Sequence, residues 1–158
     1  MINFDDKTLF LEKLQRLFRL EEEVNISSDV LTQYEGEIVY NYFYGKTWYD
    51  LAINLDFKLD GEPLEKGCIY LNHDDFKKYF PLYIYASLIN YDEWAFECLF
   101  FMHYLMPDVM GEDVYFEFID GFDELQRSLI YEFVLYKFVK ENDLMASDAF
   151  NKFWCLYS

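Results

Sequence analysis

A mainly α fold is expected from three features of the chain. Apolar residues recur at helical spacing through most of it, capping residues stand where those stripes begin, and glycine or proline stands where they end. With 158 residues, 53% of them hydrophobic and 22% aromatic, the chain has the size of one domain and ample material for a core. That hydrophobic content separates it from disordered acidic sequences. The expected architecture is one compact multi-helix domain over residues 1–158, with room for one or two short strands.

The first stripe, over residues 5–22, places Leu9, Leu14, Leu17 and Phe18 at helical spacing, with Leu11 beside them and Lys13, Arg16 and Arg19 on the polar side. Ser27, Ser28 and Asp29 are amino-cap candidates for a second helix that reaches about Tyr44, interrupted by Gly36 and ended by Gly45. Thr47 then caps a short helix carrying Trp48, Leu51, Ala52 and Leu55. From Asp56 to Gly67 the periodicity dissolves around Gly61, Pro63 and Gly67, which reads as a loop, and residues 68–71 read as a short strand. Asn72 caps the next helix, with Asp74 and Asp75 in its first turn, where carboxylates favour the positive helix end. Pro81 kinks or breaks that helix, which resumes through Leu82, Tyr85, Ala86 and Leu88.

Residues 93–106 read as another helix, halted by Pro107. Residues 114–119 alternate weakly and read as extended, between the loop glycines Gly111 and Gly121. Asp123 and Gln126 have the spacing of a capping box and open a helix over residues 124–141, whose apolar side uses Leu125, Leu129, Ile130, Phe133, Val134, Tyr136 and Phe138. A last short helix starts near Ser147 and carries Phe150, Phe153 and Trp154. No internal repeat or low-complexity linker interrupts this order.

Charge placement is the strongest functional signal. Thirteen cations against 30 acids give a net charge of −17, and between Tyr79 and Gln126 the chain runs 48 residues without Lys or Arg. That stretch carries ten acids, Asp92, Glu93, Glu97, Asp108, Glu112, Asp113, Glu117, Asp120, Asp123 and Glu124, together with fourteen aromatic residues. Unbalanced negative charge repels nucleic acid and anionic membrane, and it speeds encounter with a basic partner. Most of the rings are core material, yet a Tyr or Phe left beside carboxylates makes good contact surface, because it supplies area at low entropic cost.

Other chemistry is poorly served. Asp56, Lys58, Asp60 and Gly61 have the opening spacing of a calcium loop, but Lys58 occupies a ligand position and Gly67 stands where the bidentate Glu belongs. His73, Asp74 and Asp75 are explained by a helix amino terminus, and His103 sits among apolar neighbours as a core histidine would. No nucleophile turn, glycine-rich phosphate cradle or histidine with a catalytic partner is present. Cofactor and metal are therefore expected to be absent, and the chain is not expected to be an enzyme. Cys68, Cys98 and Cys155 form no motif and read as buried free thiols in a reducing cytoplasm. The amino terminus has no secretory pattern, and the most apolar stretch, residues 94–106, is too short and polar to span a bilayer.

The segment 108–124 is the sharpest site candidate, with seven acids in seventeen residues and Tyr115, Phe116, Phe118 and Phe122 interleaved. Asp108, Glu112, Asp113, Tyr115, Glu117 and Asp120 are the residues expected to meet a partner.

Phe43, Gly45, Trp48 and Leu51, followed by Tyr70, Leu71, Phe76, Tyr79, Phe80 and Pro81 and then by Leu125 and Gln126 at a helix start, form a pattern that resembles a family of small uncharacterised bacterial proteins. In that family a hydrophobic-Leu-Thr segment precedes an aromatic pair and a Tyr-Leu-Pro turn; here Asn72 stands for the Thr and Phe80 for the Leu. The resemblance covers roughly residues 30–139 and implies a fold rather than an activity. By physical type the chain is also similar to immunity proteins of bacterial toxin systems, which neutralise a cognate toxin domain, often a basic nuclease, in the cytoplasm. No residue is carried over from that likeness.

The expected function is thus a cytoplasmic immunity or inhibitor protein that occludes a basic toxin domain, with no nucleic-acid or membrane partner. The alternatives are a nucleic-acid mimic that inhibits a host nuclease, a housekeeping domain with an acidic surface, and an enzyme built on a carboxylate pair near Asp74 and Asp75.

Overall fold

The computed structural model describes residues 2–20, 24–90 and 94–157, and every regular element among them is helical. Helix α1 spans Lys7–Leu17, and the expected continuation to residue 22 falls partly outside the described residues. The second expected helix is divided in two. Ser27 caps a 3-10 helix, Ser28–Thr32, and α2 runs over Gly36–Phe43. Glu35, at φ 63°, turns the chain between them in the left-handed region. Gly36 is required there because a Cβ would lie 1.7 Å from the Val30 carbonyl oxygen. Thr47 caps α3, Trp48–Ile53, as expected, and Asp50 completes a capping box with it.

The loop and strand expected over residues 56–71 are corrected to one helix, α4, Phe57–Tyr70. Asp56 caps it and accepts the Lys58 N–H at 3.1 Å, while Asp60 accepts the Asp56 N–H at 2.9 Å. Pro63 removes one backbone bond, a cost of about 3 kcal/mol in a helix interior. Complete burial of Leu64 and near-complete burial of Cys68 offset it, at roughly 1.5–3 kcal/mol for a leucine-sized side chain. The glycines act as contact points rather than breakers. A Cβ on Gly61 would come within 2.5 Å of the Trp94 ring, and one on Gly67 within 2.4 Å of the Tyr83 hydroxyl.

Asn72 caps α5, His73–Lys78, by accepting the Asp75 N–H at 2.8 Å. The chain breaks at Tyr79, and α6, Phe80–Leu88, begins with Pro81 in its first turn, where its missing N–H costs nothing. Helix α7 spans Phe96–Tyr104, and the start expected at residue 93 lies outside the described residues. The extended reading of residues 114–119 is corrected to α8, Glu112–Asp120. Tyr115, Phe118 and Ile119 are its buried residues, the i, i+3, i+4 set of a helix face. Asp123 and Gln126 close a capping box on α9, Glu124–Val139. Asp143 caps α10, Leu144–Lys152, and a 3-10 helix, Trp154–Tyr157, follows.

The described residues group into two compact units, one of residues 14–99 and one of residues 1–13 with 100–158. In the first, Tyr79 donates its hydroxyl to the carbonyls of Phe43 and Lys46 at 2.9 and 2.8 Å, and Tyr83 donates to Leu64 at 2.6 Å. Phe43 packs on Tyr79 and Phe76 on Tyr83, with ring centroids 4.6 and 4.5 Å apart. Each tyrosine thus fills core volume while satisfying a buried polar group. In the second unit Trp154 donates its indole N–H to the Leu105 carbonyl at 2.8 Å, and Phe101 packs on Phe133. Among the described residues no helix is long and apolar enough to cross a membrane.

Candidate functional site

Helix α8 gathers four of the six expected partner residues on one surface. At about 100° per residue, Glu112, Phe116, Asp120, Asp113 and Glu117 follow one another around the helix within an arc of about 140°. All five are exposed, opposite the buried Tyr115, Phe118 and Ile119. The core face of this helix therefore dictates where its charges go. Gly111, at φ 85°, turns the chain into the helix, and its N–H bonds the Pro107 carbonyl at 2.8 Å.

Glu112 and Asp113 lie in the first turn, where the helix dipole favours a carboxylate by some 0.3–1 kcal/mol. Asp120 is the last residue of α8, where the same dipole disfavours it. Burial, and then the Asp120 charge, raise the Tyr157 hydroxyl above its ordinary range, against the opposing effect of Arg127. Phe116 is 42% exposed and stands within the acidic arc, between Glu112 and Asp120, its inner edge held T-shaped against Phe153 at 5.0 Å.

Asp108 precedes the helix and pairs with Lys152 of α10 at 2.7 Å, so the nearest cation comes from outside the cation-free stretch. Tyr115 is a correction. It is fully buried, donates its hydroxyl to the Tyr104 carbonyl at 2.9 Å and packs on Phe153, so it cannot anchor a partner. The exposed ring of this segment is Phe116, a position one residue away and 100° around the helix. Of the remaining acids of the stretch, Glu97 is half-buried and accepts from Asn90 at 2.9 Å, and Asp92 and Glu93 lie outside the described residues.

The other candidates resolve into structural duties. Asp75 is buried, accepts the Ser27 N–H at 2.8 Å and lies 3.3 Å from Lys78, which ties α5 to the segment before the first 3-10 helix. Asp56 and Asp60 cap α4. His103 is half-buried, and desolvation lowers its pKa. Cys68 is buried, but Cys98 is exposed and Cys155 partly so, which corrects the expectation of three buried thiols. No group of three or more His, Cys, Asp or Glu side chains is placed to hold a metal among the described residues.

Sequence reasoning missed two buried donors. The Tyr42 hydroxyl and the Trp48 indole N–H have no partner among the described residues, while the Lys46 ammonium lies 5.7 Å above the Tyr42 ring. Nothing in the local sequence distinguishes these from satisfied core residues. Comparison with protein-family models, curated proteins and solved structures finds no significant match to this chain.

Proposed function

We propose that the chain is a cytoplasmic immunity or inhibitor protein that binds a basic toxin domain and blocks it by occlusion. The observation that carries this reading is the exposed face of α8, with four carboxylates around a half-exposed phenylalanine and no Lys or Arg in the helix. Glu112, Asp113, Glu117 and Asp120 meet Lys and Arg side chains that would otherwise receive nucleic-acid phosphates. Phe116 takes the anchoring part first assigned to Tyr115. Asp108 contributes after release from Lys152. The mechanism needs no catalytic group, cofactor or metal in this chain.

Steering by such a face raises association rates by about 10- to 1,000-fold at low salt, and the gain shrinks as salt rises. Contact geometry at Phe116 then sets how long the complex lasts. The test is retention of a basic protein from the source organism on immobilised chain, washed at low and then high salt and identified by mass spectrometry. Stoichiometric retention of one basic domain, whose activity the chain inhibits, is the expected result. Retention of no basic protein from cells that express candidate toxins would overturn the reading.

A further inference from the structure

The same unit carries a second surface, where apolar residues meet charges of both signs. Ile2 and Phe4 of the N-terminal segment and Leu135, Tyr136 and Val139 of α9 line an open cleft of about 520 Å³. Its wall is tied in place. Tyr136 donates its hydroxyl to Asp5 at 3.0 Å, and its ring lies 4.8 Å from that of Phe4. Val139 is nevertheless 58% exposed, on a helix whose other side is core.

We propose that this cleft is the contact face of a two-fold symmetric dimer, occupied by a second copy of the chain. Charge complementarity selects this occupant. Glu132 of α9 and Lys140, its C-cap residue, flank the apolar floor eight residues apart, with Tyr136 midway between them. Eight residues of helix span about 12 Å. When two copies of α9 run antiparallel about an axis near Tyr136, Glu132 faces Lys140 of the partner subunit at one end. Symmetry repeats the pair at the other end, as a self-complementary contact requires.

Both side chains are available for this. Neither makes a hydrogen bond or ion pair with another described residue, whereas Lys137 of the same helix is held by Glu141 at 2.6 Å and Arg127 bonds the Phe122 carbonyl. A chain of net charge −17 resists pairing through most of its surface. Here an acid and a base without partners among the described residues border a partly exposed apolar strip, in the order that self-association needs. The inference is independent of the acidic face of α8.

Sedimentation across the micromolar range, with the full chain, tests it. The 19.3 kDa chain is expected to approach twice that mass as concentration rises. Glu132→Lys alone and Lys140→Glu alone each place like charges opposite one another twice, so each should raise the dissociation constant on the order of tenfold. Glu132→Lys also reduces the net negative charge, so general repulsion cannot explain weaker pairing in that variant. The double exchange restores both pairs and should return the constant to within about threefold of the starting value. Val139→Asp should leave a monomer with unchanged helix content. A monomer at every concentration overturns the proposal, and so does a dimer indifferent to these exchanges or not rescued by the double one.

Discussion

Lys152 reaches from α10 to Asp108 and holds its carboxylate at 2.7 Å, the ion pair that neutralises the first acid of segment 108–124. Both side chains are more than two-fifths exposed, so water screens the pair and it contributes little to stability. Lys152→Gln should therefore leave the urea-unfolding midpoint nearly unchanged. It should also free Asp108 and speed association with the basic partner. A large loss of stability would show that the pair serves the fold instead.

Tyr115 and Phe116 are neighbours with opposite duties. Tyr115→Phe strands the buried Tyr104 carbonyl and should cost about 1–2 kcal/mol in chemical denaturation while leaving partner binding unchanged. Phe116→Ala removes a half-exposed ring, so it should cost less stability than the roughly 3–5 kcal/mol of a fully buried Phe→Ala. Its main effect should be faster dissociation of the partner. Reversal of these two effects would place the contact elsewhere.

Gly67→Ala tests why α4 carries glycine. Helix propensity alone would stabilise the alanine variant by close to 1 kcal/mol. The new Cβ, however, would stand 2.4 Å from the Tyr83 hydroxyl and 2.9 Å from the Phe43 ring. Overpacking of this kind costs about 1–3 kcal/mol, so a net loss is expected, with displacement of the Tyr83–Leu64 hydrogen bond visible by NMR.

These positions also show what was legible in the sequence. Caps are local, and Thr47, Asn72, and Asp123 with Gln126 sit where the sequence places them. Helix α4 was hidden because Gly61, Pro63 and Gly67 carry the local signature of a loop, while their reason is tertiary: Trp94, Tyr83 and Phe43 need the space. Helix α8 was hidden by a run of apolar and acidic residues that fits either period, although Tyr115, Phe118 and Ile119 have helical spacing. The same ambiguity misplaced the contact ring. A strand reading cannot tell which of Tyr115 and Phe116 faces outward, whereas the helix decides it.

Acid sensitivity should include a contribution from His103. Burial lowers its pKa, so the folded chain binds its proton less readily than the unfolded chain does. That contribution to stability is complete above the unfolded value of about 6.5 and is lost as pH falls through the lower folded value. His103→Gln should remove this loss, so that its urea midpoint falls less than that of the unmodified chain between about pH 7.5 and pH 5.5. Equal falls in both proteins would remove His103 from the acid response.

The most direct measurement uses two immobilised proteins side by side, the unmodified chain and one carrying Glu112→Gln, Asp113→Asn, Glu117→Gln and Asp120→Asn. Both are exposed to lysate of the source organism, and association of any retained protein is then timed against salt with purified components. The expected result is one basic domain retained by the unmodified chain and released at high salt. With the neutralised chain, association should be at least about tenfold slower and nearly independent of salt. Equal retention and equal salt dependence for the two proteins would contradict a contact through α8.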